Sequence, residues 1–258
     1  MENPSTSAPE PTRTIKLSEV ANRYLLALQK LYDTFAFNLG GTRILNEEQY
    51  DQFAHSAGVM PVKDQRMGFD AARIEANNWL LGHTLTDALS LTVMAMADCR
   101  SICALTLAGK QGDSSPESRL RVMTTDREAF NRLSLLDKFS ELENSYGLKP
   151  AYKEAVLSLG RVREILKLRG GRVAQEDLEG KDELQISYRK VELRSQPSGS
   201  EGTVSVTPQV RDIQKTFSDG DSLDFDKADQ LAFLSTLAFF LGSLLEEVQT
   251  FAQRQGVA

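Results

Sequence analysis

Reactive groups are densest in AYKEAVLSLGRVREILKLRGG, Ala151 to Gly171, and the residue after it. Arg161, Arg163, Lys167, Arg169 and Arg172 fall within twelve positions, opposed only by Glu164. In a chain of formal net charge -6 this is a local reversal of sign. Guanidinium forks and ammonium groups both favour phosphate, so Arg161, Arg163, Lys167 and Arg169 are candidate ligand contacts. Their plainer use is a solvated helix face whose charges suit the negative end of the dipole. A second candidate is the pair His83 and Asp87, four residues apart and so on one helix face. Histidine titrates near neutrality and is the usual acid–base group. As metal ligands the two would need companions, and no Glu-x-x-His partner is present. The plainer reading of His83 is a hydrogen-bonded helix residue, and His55 receives no role.

The element that must position the basic cluster reads as one helix. Val156, Leu159, Val162 and Leu166 recur at steps of three or four and line one face. Gly170 and Gly171 can adopt the left-handed conformation that closes a helix. Pro150 separates it from a preceding segment, Thr125 to Tyr146, with Phe130, Leu133, Leu136, Phe139 and Leu142 predicted inward and a stop at Gly147. The longest helix is predicted from Phe69 or Asp70 to about Ala108. Its stripe is Ile74, Leu81, Leu85, Leu89, Val93 and Met96, with Trp79 as a core anchor. Earlier, Val20, Tyr24, Leu28, Leu31 and Phe35 mark a helix from Leu17 to Leu39, with Ser18 as a candidate cap and Gly40-Gly41 as its stop. A short helix from Asn46 to Ala57, with Tyr50 and Phe53 inward, and a loop from Gly58 to Gly68 follow. After Gly171 the period changes to two: Leu184–Leu193 and Val204–Ile213 alternate about the turn SQPSGSEG, which predicts a hairpin. Asp226 then caps a last helix, Lys227 to about Arg254.

The helix with the glycine pair resembles the last core helix of HEPN-type domains. There an Arg-Asn pair is followed four to six residues later by His, often with a glycine pair after it. Arg163 takes the Arg position and Glu164 stands where Asn would be, while the His positions hold Leu168, Arg169 and Gly170. The order of elements, including the KFSEL segment Lys138 to Leu142, extends the resemblance over about Phe69 to Gln253. It implies an all-α, up-and-down bundle with a HEPN-like four-helix core, and a homodimer, because such sites form where two subunits pair. In active members Arg and His cleave RNA without metal.

Composition bounds the function. A chain of 258 residues with 41% hydrophobic content can bury a sizeable core. A pI near 5.2 excludes a wholly basic, nonspecific nucleic-acid binder. Cys99 and Cys103 fit neither a disulfide framework nor a zinc site, which points to structural thiols and a reducing, cytoplasmic setting. No glycine-rich phosphate loop, nucleophile elbow or metal-ligand spacing is present, so neither cofactor nor metal is expected. The N-terminal fourteen residues are polar and proline-rich, without the pattern of a signal peptide, and read as a disordered lead-in. Residues 15–258 are expected to form one domain, with a helical extension over 15–60 and a hairpin insertion over 180–215. The apolar window Leu231 to Leu245 falls short of a bilayer span, so no membrane partner is expected.

Two functions follow. The first is a non-catalytic binding or assembly module that contacts RNA or a protein partner through the Arg161–Arg172 cluster. General acid–base cleavage needs a group titrating near neutrality, and Leu168 supplies none. The alternative is a metal-independent endoribonuclease of toxin or defence type, in which Arg163 works with His83 or Glu164 as an unusual base.

Overall fold

The computed structural model describes residues 16–56, 67–112, 115–198 and 203–256. Its helices are α1 (Leu17–Ile44), α2 (Glu47–Ser56), α3 (Phe69–Lys110), α4 (Pro116–Met123), α5 (Thr125–Arg132), α6 (Leu135–Tyr146), α7 (Lys153–Arg169) and α8 (Lys227–Arg254). Between α7 and α8, β1 (Leu184–Ser198) and β2 (Thr203–Phe217) form a two-stranded antiparallel hairpin. The lead-in over 1–14 and nearly all of the loop placed at 58–68 lie outside the described residues.

Side-chain contacts fix the directions of four long helices. Tyr24, early in α1, donates to Asp98, late in α3, at 2.6 Å. Asn78, early in α3, donates to the Gly170 carbonyl beyond the end of α7 at 3.1 Å. The Ala151 amide before α7 donates to Ser243 of α8 at 2.7 Å, and Lys227 at the start of α8 reaches the Leu39 carbonyl at 3.0 Å. Each of α1, α3, α7 and α8 therefore runs opposite to the one before it, which is an up-and-down bundle. Leu85, Met96, Val156, Leu159, Phe233, Leu237 and Phe240 fill its centre. Burying each such side chain contributes about 1.5–3 kcal/mol, which sets the helices' inward faces. The first helix, placed by sequence in an N-terminal extension, supplies one wall of this core through Val20, Tyr24, Leu28 and Phe35.

Several local expectations fail for identifiable reasons. The first helix begins at Leu17, so Ser18 lies inside it, and it runs through Gly40-Gly41 to Ile44. Two glycines cost about 2 kcal/mol of helix propensity, which tertiary contact at buried Leu39 overrides. The segment Thr125–Tyr146 is two helices, because Ser134 caps a new one: its hydroxyl accepts the Asp137 amide at 3.1 Å. Leu133 and Leu136 are consequently exposed, as are Phe53 and Ile74. Trp79 is 62% exposed and anchors no core. A helix at α4, opened by Ser115 and Pro116, was not anticipated although its cap signal is plain. The length argument against a membrane span also fails, since Leu231–Leu245 belongs to a 28-residue helix. By length and composition α3 and α8 are both long and apolar enough to cross a membrane. Here the bundle core takes up much of their apolar surface.

The base of the hairpin is fastened to α8. Leu184, Ile186 and Tyr188 are buried, and the Arg189 amide donates to Thr236 at 2.8 Å. Asp229, in the first turn of α8, is buried and receives Lys215 at 2.8 Å and Lys190 at 3.1 Å, one from each strand. Burial works against its charge, but the lysine hydrogen bonds outweigh it and hold its pKa below the ordinary aspartate value. Asp229 thus adds stability above the ordinary carboxylate range, and that stability is lost as pH falls through the depressed value. Replacing Asp229 by Asn leaves Lys190 only the more distant Asp226, at 3.8 Å, and Lys215 only the Asp224 carbonyl, at 3.0 Å. The expected cost is about 2–4 kcal/mol by denaturant unfolding at neutral pH, shrinking toward zero in acid.

Candidate functional site

The helix α7 divides the predicted cluster between two faces, because residues three and four apart share a side and neighbours do not. Gly160, Arg163, Glu164 and Lys167 face the seam with α3. Arg161 and Arg169 face the turn that follows α7. There Arg161 pairs with Glu179 at 2.9 Å, and Arg169 forms a fork on Asp177 with a further bond to Glu176 at 2.6 Å. These acids lie beyond Arg172, outside the stretch in which Glu164 alone opposes the five basic residues. Arg172 is exposed, and its backbone bridges to Ser222. Two cations remain on the open seam, Arg163 and Lys167.

A groove of about 560 Å³ opens between α3, α6 and α7, walled by Ser90, Met94, Ser134, Lys138, Arg163 and Glu164. The Arg163 guanidinium gives one bond, to Glu164 at 3.2 Å, and its Nε is buried without a hydrogen-bond partner. On the opposite wall Lys138 is only 3% exposed. Its ammonium donates to the Asn131 carbonyl at 3.0 Å and to the Leu133 carbonyl, and lies 5.6 Å from the Phe130 ring centre. Burial pushes the Lys138 pKa below the ordinary lysine range. Ser134 places the positive end of α6 at the groove. The arrangement is cationic, with Glu164 its only acidic wall residue among those described, and it suits a small anionic group. Sequence reasoning missed Lys138 because lysine is rarely buried. The cap at Ser134, with the lysine one turn later, was the available signal.

His83 lies elsewhere on the same seam. A smaller recess of about 220 Å³ is lined by Glu75, Asn78, Trp79, His83 and Lys167. The His83 ring packs against Trp79 with centres 4.3 Å apart and planes tilted by 50°. His83 shares this recess with Lys167, while Ser90 shares the groove with Arg163. Among the described residues no hydrogen bond or ion pair joins His83 to Arg163. Asp87 faces a third depression with Lys30 and Thr34 of α1. Among the described residues no group of three His, Cys, Asp or Glu could hold a metal. Cys99 and Cys103 are buried, and burial raises both thiols, Cys103 to about 12, which suppresses nucleophilic thiolate.

The two faces predict different responses to truncation. Arg169→Ala leaves Asp177, which is nearly buried, without its fork and lowers the denaturation midpoint. Lys167→Ala removes no ion pair seen among the described residues and stays within about 0.5 kcal/mol of the parent. Parallel urea titrations check the contrast.

No protein-family model matches the chain, and neither the curated proteins nor the solved structures contain a significant match.

Proposed function

We propose that this protein is a non-catalytic helical binding module that uses the Arg163 groove to hold the phosphate backbone of RNA, as part of a homodimeric assembly. The observation that carries the reading is the company Arg163 keeps. It stands in an open groove with an unpartnered donor and a buried lysine across from it, and the nearest described imidazole is engaged with Trp79 in a separate recess. Guanidinium and ammonium groups without a proton-transferring partner bind phosphate but give little general acid–base catalysis. The chain's acidic balance limits such contact to this local patch, so few phosphates are engaged and affinity is modest. A protein partner that presents a carboxylate or phosphate is the other ligand the groove's chemistry accommodates.

Labelled single-stranded RNA, incubated with the purified protein and a chelator, tests the proposal. The expected outcome is retention without cleavage, weakened about tenfold or more by Arg163→Ala, with a salt slope shallower by about one contact. Turnover that disappears in Arg163→Ala would establish the ribonuclease reading instead, and His83→Ala and Glu164→Gln would then identify its base.

A further inference from the structure

The chain's one tryptophan, Trp79, stands 62% exposed on α3. An indole is a large apolar surface that folding ordinarily covers. Here part of the ring meets His83, and the ring lines the recess of about 220 Å³ that also takes in Lys167. Gly82 and Leu166, both buried, give that recess an apolar back wall. Lys167 and Glu75 supply its full charges, one of each sign, and among the described residues no ion pair engages either. The recess adjoins the Arg163 groove. Thr86 lines the recess and Ser90 the groove, one turn apart on α3, and the Ser90 hydroxyl donates to the Thr86 carbonyl at 2.7 Å. On α7, Lys167 and Arg163 are likewise one turn apart, about 6 Å along the helix axis.

We infer that this recess holds an unpaired base of the RNA strand whose phosphate sits at Arg163, with the base stacked on Trp79. The inference rests on the RNA reading of the groove and narrows its substrate class to single strands. Charge separates the two depressions. The groove sets Arg163 and Lys138 against Glu164 and suits an anion, whereas Lys167 and Glu75 offset each other. A neutral planar group therefore fits the recess better than a second phosphate does. The polar groups match the edge of a base, which carries donors and acceptors together: Glu75 accepts and Lys167 donates. Spacing also fits, because one helical turn is a distance that a nucleotide bridges between its phosphate and a base. A duplex cannot use the site, since each of its bases is already stacked on both faces. Every base offers a π-face, so Trp79 adds affinity with little choice of sequence.

Because Trp79 is the only tryptophan, its emission reports on the recess directly. A short single-stranded RNA, titrated into the full chain, is expected to quench or shift that emission saturably. Inorganic polyphosphate, which has no base, is expected to leave it unchanged. Trp79→Ala is expected to weaken retention of the single strand about tenfold, and Trp79→Phe, which keeps a ring, to recover most of the loss. Both variants are expected to keep the parent's helical circular-dichroism spectrum, because the side chain is exposed. A blunt RNA duplex and polyphosphate are expected to bind Trp79→Ala as they bind the parent. Retention of the single strand without a change in emission, undiminished binding by Trp79→Ala, or a duplex equally sensitive to Trp79→Ala would overturn the inference and leave the groove reading standing. Retention that Arg163→Ala does not weaken, or that is absent from the parent, would overturn the groove reading and this inference with it.

Discussion

The close antiparallel contact of α3 with α7 is the constraint on which the site depends. At Gly82 a Cβ would stand 3.5 Å from the Leu166 Cβ, an ordinary van der Waals distance, which marks how closely the two helices pack. The glycine pair fixes the far end. Gly171 adopts φ +88, and a side chain there would meet the Asn78 amide at 3.2 Å. Asn78 in turn holds the Gly170 carbonyl, and the Gly171 carbonyl accepts the Leu223 amide at 2.8 Å. Along this seam Arg163 lines the same groove as Ser90, and Lys167 lines the same recess as His83.

Charge distribution follows from the same geometry. A helix surface sorts five basic residues by angle, and what each meets depends on the element facing it. The turn after α7 returns Glu176, Asp177 and Glu179 to one side, which converts Arg161 and Arg169 into structural ties. The seam side meets α3, whose facing residues are Ser90, Thr86 and His83, and α6, whose capped end is positive. An anion entering the groove therefore meets two cations, Arg163 and Lys138, against one lining carboxylate, Glu164, which already pairs with Arg163 at 3.2 Å. The buried lysine sharpens this: held by the Asn131 and Leu133 carbonyls, it cannot move away to bulk water at little cost.

The mainly helical architecture with a hairpin before the final helix was legible, because long segments with a sustained period reveal their inward faces. The cap at Asp226 was legible for the same reason, being a local motif: its carboxylate accepts the Asp229 amide at 2.7 Å. What the sequence hid was decided by tertiary contact. Gly40-Gly41 looks like a stop until Leu39 is seen to be buried, and Trp79 looks like an anchor until the stripe is seen to place it on the rim. At the site, Arg163 and Lys167 share a face as their spacing implies. The loss of Arg161 and Arg169 to acids downstream, and the presence of Lys138 across the groove, required knowing which elements meet.

We propose that Arg163, and not its neighbours on α7, meets the ligand, and that the ligand leaves intact. Nitrogen-15 spectra of the arginine Nε–H groups, recorded while a short single-stranded RNA is titrated in at low salt, test it most directly. The Arg163 signal is expected to move, those of Arg161 and Arg169 to stay in place, and the RNA recovered afterwards to have its original mass. Movement of Arg161 or Arg169 with Arg163 unchanged, or recovery of shortened RNA, would contradict it.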